Sequence, residues 1–124
     1  MNEQTVPYLG EYNQFVRDYK SGTVTGEEVG ILIARLAQYF SEYNLKLIIA
    51  ERQVYITAKD IENRIDENTG KAITSSKAQT IICATDEYFE KEKIKAHVQN
   101  IEQFINALKS LQKGVLQEYA NSNF

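Results

Sequence analysis

The most reactive side chains in this sequence are one histidine, His97, and one cysteine, Cys83. His97 has no Glu-x-x-His partner to build a carboxylate-bridged metal centre in a helical bundle, so we interpret it as a structural histidine. Cys83 has no second cysteine for a disulfide or a metal cage, and we expect it to be a small buried hydrophobe on the inner side of a helix. The carboxylates alternate with lysines, whereas acid catalysis needs an isolated pair in an apolar setting. The sequence therefore predicts no enzyme, no metal site and no cofactor.

Basic side chains concentrate around a polar, glycine-containing turn near Gly70. These residues are Lys59, Arg64, Lys71 and Lys77. Lys and Arg bind nucleic-acid phosphates without regard to base sequence, and an oligomer would multiply such a weak contact. Nearby acidic residues partly cancel this charge, namely Asp60, Glu62, Asp66 and Glu67. The net charge of −3 argues against a strongly basic nucleic-acid domain, so we expect at most a weak phosphate-binding surface at this turn.

Tyrosine is frequent, with eight in 124 residues. An exposed tyrosine ring can stack on a base of a single strand, but tyrosine at helical spacing more often belongs to a core. Both interpretations stay open for Tyr39, Tyr43, Tyr55 and Tyr88. The lysines that follow, Lys91, Lys93 and Lys95, alternate with glutamates and are typical of a solvated helix face with ion pairs.

Residues 25–66 lack proline and repeat apolar side chains at helical spacing, which predicts one long helix. Thr25 and Glu28 form a capping box at its start, and the polar turn at Gly70 follows its end. The inward stripe consists of Ile33, Leu36, Phe40, Tyr43, Leu47, Ala50, Val54, Ala58, Ile61 and Ile65. This stripe needs a long partner helix.

The other helices are predicted on both sides of this one. Pro7 is well placed to begin a short amphipathic helix over residues 7–20, and Ser76 with Gln79 forms a second capping box that begins a long helix over residues 76–120. The turn makes the long helices antiparallel and brings Tyr43 near His97. The predicted fold is all-α, a long antiparallel helical hairpin with a short N-terminal helix, in a single domain spanning residues 1–124.

Apolar residues outside the inward stripe predict that the hairpin assembles into an oligomeric bundle or ring. The predicted interface consists of Leu32, Tyr39, Ile48, Ile49, Ile56, Phe104 and Leu111. No apolar run reaches the roughly 18 residues of a membrane span, and the amino terminus lacks the pattern of a signal peptide. We therefore expect a cytoplasmic homo-oligomer with no membrane partner.

The layout of the chain resembles a group of phage proteins. The features concerned are a long helix, a glycine-containing turn and a second long helix that begins at Ser76 and Lys77 and continues through Ala84, Asp86, Tyr88, Ile101, Phe104, Ala107, Leu108, Lys109 and Ser110. These features resemble the small coil-forming proteins that phages encode beside recombination genes and, more distantly, the UvsY-type recombination mediators. The resemblance implies a ring that binds single-stranded DNA and helps to load a recombinase onto strands covered by a single-strand-binding protein.

Two hypotheses about function follow. In the first, the chain is an oligomeric accessory protein of phage DNA recombination or replication that binds single-stranded DNA weakly, in the host cytoplasm, with a recombinase or a single-strand-binding protein as partner. In the second, it is an oligomeric interaction or scaffold module with no nucleic-acid role. Salt-dependent binding of single-stranded DNA separates them, because phosphate contacts release counterions.

Overall fold

The computed structural model describes the backbone of residues 6–122 and the side chains of residues 6–114. The described residues form four helices, namely α1 (Pro7–Lys20), α2 (Gly26–Glu62), α3 (Ser75–Cys83) and α4 (Asp86–Ser122). Within this part of the chain the only β-type pairing is an isolated antiparallel bridge between Ile65 and Ala72. The all-α prediction is confirmed.

Helix α2 begins where the sequence predicts, but it ends earlier. The Thr25 hydroxyl oxygen accepts a hydrogen bond from the Glu28 amide at 3.2 Å, as the capping box predicts. The helix ends at Glu62 and not at residue 66 because the next residues form a tight turn. In this turn the Asp66 amide donates to the Lys71 carbonyl at 2.8 Å, and Gly70 has a φ of +68°, which glycine adopts without strain.

The predicted helix over residues 76–120 is wrong in one respect, because the structure has two helices, α3 and α4, in its place. The Thr85 hydroxyl separates them: it donates to the Ile82 carbonyl at 2.7 Å and accepts from the Tyr88 amide at 3.2 Å. Thr85 therefore closes one helix and caps the next. The cap of α3 also lies two positions before the predicted Ser76, since the Thr74 hydroxyl accepts from the Lys77 amide at 3.2 Å.

The chain divides into two compact units, each of which contains part of α2 and part of α4. Unit 1 comprises residues 1–42 and 99–124, and unit 2 comprises residues 43–98. The assignment of residues 1–124 to a single domain stays a prediction.

The core of unit 1 forms where α1 packs against α2 and α4. Tyr8 is fully buried, with its ring 6.4 Å from that of Tyr39 and 6.1 Å from that of Phe104. Tyr12 stacks on Phe104 with ring centroids 3.9 Å apart. Further buried residues on the long helices are Leu36, Ile101 and Leu108. Helix α1 therefore packs within its own chain, where it buries aromatic surface that a helix of this length needs for stability.

The core of unit 2 runs along α2, α3 and the first part of α4. Near the turn, Ile61, Ala78 and Ile82 are buried together. At the far end, Tyr43 lies 5.2 Å from His97, ring to ring, which confirms the predicted proximity of these residues. Tyr43 is the first residue of the α2 segment of unit 2, and His97 is near the end of its α4 segment. Because these two residues meet, the two segments are antiparallel.

Candidate functional site

The predicted basic residues lie around the turn of unit 2. Arg64 precedes the β-bridge, Lys71 lies within the turn, and Lys77 lies in the first turn of α3. Lys59 is in the last turn of α2. All four side chains are exposed. The tight backbone pairing of residues 64–73 thus brings Arg64, Lys71 and Lys77 into one neighbourhood.

Carboxylates neutralise most of this basic cluster. Arg64 pairs with Asp60 at 2.9 Å, Lys77 pairs with Asp66 at 2.9 Å, and the Lys59 ammonium lies 3.6 Å from Glu62. The hydrogen bond from Lys77, with a second from the Asn68 amide, lowers the pKa of Asp66, so this carboxylate stays charged. The cluster therefore presents little net positive charge to a phosphate.

A second group of basic and aromatic side chains lines a groove of about 460 Å³ between α2 and the α3 and α4 helices of unit 2. We call it the tyrosine groove, and it is lined by Leu47, Glu51, Val54, Tyr55, Ala58, Glu62, Gln79, Ile82, Tyr88, Lys91 and Lys95. The Lys91 ammonium lies 4.3 Å from the centre of the Tyr88 ring, and the Lys59 ammonium lies 5.3 Å from that of Tyr55. The charge of Glu92 raises the pKa of Tyr88, so its hydroxyl stays protonated and can donate a hydrogen bond. Tyr88 also packs against the buried cluster of Ile61, Ala78 and Ile82, so the groove offers a half-buried ring and ammonium groups to a base and its phosphate.

An apolar surface lies on the solvent-facing side of α2, next to the tyrosine groove, with which it shares Tyr55. We call it the α2 ridge, and it consists of Leu45, Ile48, Ile49, Tyr55 and Ile56. These side chains are 51 to 63% exposed. Their spacing of three, one, six and one residues places them along one broad face of the helix, because residues three and four apart are neighbours on a helix surface. The ridge therefore has no partner within unit 2.

A second groove, of about 600 Å³, lies at one edge of the α2 ridge. We call it the acidic groove, and it is lined by Lys46, Ile49, Ala50, Gln53, Asp86, Glu87, Glu90 and Ile94. Ala50 and Ile94 are buried and form its apolar floor. Asp86, Glu87 and Glu90 are exposed along the first turns of α4. Glu90 pairs with Lys93 at 2.9 Å, so the negative charge of this edge comes mainly from Asp86 and Glu87.

The predicted interface residues divide between surface and core. Ile48, Ile49 and Ile56 are exposed and belong to the α2 ridge. Leu32 is only 8% exposed, and Phe104 is half-buried where it stacks with Tyr12, so neither lies on an open surface of the single chain and their assignment to the interface stays a prediction. Both are covered because α1 folds back onto its own chain. Tyr39 and Leu111 are half-buried in unit 1.

The histidine and the cysteine differ in how well they match the sequence analysis. His97 is buried in unit 2, as a structural histidine should be; burial, followed by the positive charges of Lys93 and Lys46, lowers its pKa. Cys83 is exposed, which contradicts the expected burial. The buried positions of α3 are Ala78 and Ile82, and one further residue rotates the side chain by about 100° towards solvent.

Sequence reasoning missed two residues of these surfaces. Leu45 is 62% exposed on the α2 ridge, and the exposed Arg52 lies between Ile49 and Tyr55 in the same face. The signal was present in the sequence as a second helical stripe offset from the inward one. The sequence analysis assigned Ile48, Ile49 and Ile56 to this stripe but extended it neither to Leu45 nor across the charged Arg52. The exposure of the flanking residues shows that this stripe is continuous.

The described residues contain neither a cluster that could bind a metal ion nor a helix that could span a membrane. No three His, Cys, Asp or Glu side chains within residues 6–114 come together in a way that could hold a metal ion. Across the helices of residues 6–122, none has the combination of length and apolar character that a membrane crossing requires. The candidate sites are therefore the basic turn, the tyrosine groove, the α2 ridge and the acidic groove.

Comparison with known proteins adds no assignment to these surfaces. No protein-family model, curated protein or solved structure matches the chain. The resemblance to UvsY-type mediators therefore stays a prediction, and arguments about function rest on the geometry of unit 1 and unit 2.

Proposed function

We propose that this protein is a self-associating helical interaction module and that the α2 ridge joins copies of the chain. The observation that carries the proposal is the exposure of five large apolar side chains between residues 45 and 56. Single exposed apolar residues are common on protein surfaces, but contiguous apolar patches mark interaction sites. The ridge is contiguous, because its members lie on successive turns of one helix.

The energetic argument favours association. Each isoleucine of the ridge is at least half exposed, and complete burial of such a side chain stabilises a complex by roughly 1.5–3 kcal/mol. In unit 1, α1 covers part of α2, where Tyr8 packs against Tyr39 and Phe104. In unit 2 no element of the described chain performs that role, so a partner surface is needed.

The test of this proposal is the mass of the protein in solution. Light scattering at micromolar concentration should give a multiple of the 14.2 kDa chain mass. The mass should persist in high salt, since an apolar interface responds weakly to ionic strength. A mass of one chain under these conditions would refute the proposal.

We propose a second function, weak binding of single-stranded nucleic acid by the assembled protein. The tyrosine groove supports it, because Tyr88 and Lys91 combine an aromatic ring with an ammonium group. The resemblance to UvsY-type mediators supports a role in phage DNA recombination or replication, with a recombinase or a single-strand-binding protein as partner. Glu51 and Glu62 in the same groove reduce its affinity for phosphates, so the binding is expected to be weak.

Fluorescence anisotropy with a labelled oligonucleotide tests this second proposal. Binding should weaken as salt rises. Replacing Tyr88 by leucine should reduce affinity by roughly 5- to 100-fold, because stacking on one base is worth about 1–3 kcal/mol. The matched control is Tyr19→Leu, since Tyr19 is exposed in α1 outside the groove. If the unaltered protein does not bind the oligonucleotide at low salt, the nucleic-acid proposal is refuted and only the proposed interaction module stands.

The basic turn requires its own variant. The triple change alters Arg64, Lys71 and Lys77 to alanine. If this turn contacts phosphates, the variant should lower the affinity and the slope of its salt dependence while leaving the oligomer mass unchanged. Because carboxylates neutralise Arg64 and Lys77, we expect a smaller effect than that of the groove variant.

A further inference from the structure

The centre of the α2 ridge carries a charge. Arg52 lies three residues after Ile49 and three residues before Tyr55, and it is exposed. Arg52 forms no ion pair with another described side chain. Covering an arginine with an apolar surface leaves a desolvated charge without a partner, which is strongly unfavourable. The surface that covers the ridge must therefore bring carboxylates to its middle.

The acidic groove carries such carboxylates beside the same segment of α2. Its lining joins Ile49 and Gln53 of α2 to Asp86, Glu87 and Glu90 of α4. Arg52 lies between Ile49 and Gln53 in the chain, so the groove that holds the three carboxylates runs beside the segment of α2 that carries Arg52. One chain thus carries an apolar ridge with a central positive charge and, beside it, an apolar groove with a negative edge.

A surface that carries both halves of a complementary pair suits a two-fold interface, in which the same patch is used by both copies. If two α2 helices pack antiparallel about an axis at Arg52, Ile48 of each copy lies opposite Ile56 of the partner subunit. Ile49 likewise lies opposite Tyr55 of the partner subunit. Arg52 then reaches Glu87 and Glu90 of the partner subunit, and the arrangement repeats on the other side of the axis.

Charge distinguishes this arrangement from a parallel one. Both directions bring the two Arg52 side chains together at the axis, where the carboxylates of the partner subunit's acidic groove neutralise them. A parallel pair would in addition place Lys59 opposite the same lysine of the other copy, and like charges at close range repel. In the antiparallel pair, Lys59 lies opposite Leu45 of the partner subunit. The helix dipoles also oppose each other favourably in that direction.

We propose that the α2 ridge binds a second copy of the chain, antiparallel about a two-fold axis at Arg52, with Arg52 of each copy in the acidic groove of its partner. This inference rests on the proposed self-association and adds its partner, direction and specificity. It makes Arg52, Asp86, Glu87 and Glu90 specificity residues of the interface.

Disulfide cross-linking tests the direction. In a Cys83→Ser background, one chain carries Ile48→Cys and a second chain, of different tag length, carries Ile56→Cys. Co-expressed and oxidised, the two chains should form a mixed disulfide dimer, since the antiparallel register places these positions opposite each other. Each variant expressed alone should stay uncross-linked. Efficient disulfides of each variant with itself, and none between the two, would show a parallel pair and overturn the inference.

Charge exchange tests the specificity. Arg52→Glu, and separately the double change Glu87→Arg with Glu90→Arg, should each weaken dimerisation by at least about tenfold. The triple variant that combines all three changes should recover most of the lost affinity, because its charges are complementary again. Circular dichroism checks that each variant keeps its helix content, and the control is Glu67→Arg in the exposed turn.

The outcomes separate this inference from the proposed function. A monomeric unaltered chain would overturn both. An oligomer whose affinity does not respond to the charge variants, or whose triple variant does not recover, would leave the self-association standing and overturn the Arg52 arrangement. Mixed cross-links together with recovery in the triple variant support it.

Discussion

Replacing Ile49 by glutamate should dissociate the protein without unfolding it. Ile49 is 62% exposed in the single chain, so its substitution removes little core packing. Complete burial of an isoleucine side chain stabilises by roughly 1.5–3 kcal/mol, so covering the exposed 62% of Ile49 stabilises the complex by about 1–2 kcal/mol. A two-fold interface contains this contact twice, so the variant loses about 2–4 kcal/mol in total. Since about 1.4 kcal/mol changes a dissociation constant tenfold, the constant should rise roughly 30-fold to several-hundred-fold.

Sedimentation equilibrium over a range of concentrations measures this change directly. The matched control is Ile31→Glu, because Ile31 is an isoleucine on the same helix with 54% exposure, outside the α2 ridge. The control should keep the dissociation constant of the unaltered protein. If the two variants behave alike, the α2 ridge is not the interface. If Ile49→Glu loses its helix content, Ile49 contributes to folding and the reasoning from its exposure is refuted.

Three further predictions concern the folded chain. Ile61→Ala should lower the free energy of unfolding by about 2–5 kcal/mol in denaturant titration, because Ile61 is 1% exposed in the core of unit 2; a cost near zero would contradict that burial. Thr74→Ala should cost about 1 kcal/mol by the same measurement, because it removes the acceptor for the Lys77 amide, whereas Thr74→Ser should keep most of it. Burial and then neighbouring lysines lower the pKa of His97 below its ordinary value of 6.5, so the unfolded chain takes up a proton first as the pH falls. The stability that His97 contributes is therefore complete above about pH 6.5 and decreases as the pH drops towards the pKa of the folded state. Between pH 7 and pH 5, the thermal unfolding temperature of His97→Gln should decrease less than that of the unaltered protein.

The helices were predictable from the sequence because their signals are local. Pro7 begins α1, the Thr25 hydroxyl caps the Glu28 amide, and Gly70 adopts the positive φ of the turn. Each signal depends on atoms within a few residues, so it operates in any tertiary context. Thr85 is equally local, but it was missed because the apolar pattern continues across it and hides the break between α3 and α4.

The candidate site depended more on tertiary structure. The four basic residues were found by their types, yet the pairing of Lys77 with Asp66 requires the turn to fold, since the two residues are eleven positions apart in the chain. The tyrosine groove likewise requires Tyr55 of α2 and Tyr88 of α4 to line one groove from two helices.

What the sequence by itself determined is the class of the fold, the approximate bounds of the helices and the presence of more apolar surface than one hairpin can bury. What only the tertiary structure decided is which apolar residues stay exposed. Leu32 and Ile48 both lie outside the inward stripe of α2, but α1 covers the first and nothing in the described chain covers the second. Helical periodicity shows which face a residue occupies, whereas burial depends on which distant segment packs on that face, and that choice is made only when the whole chain folds.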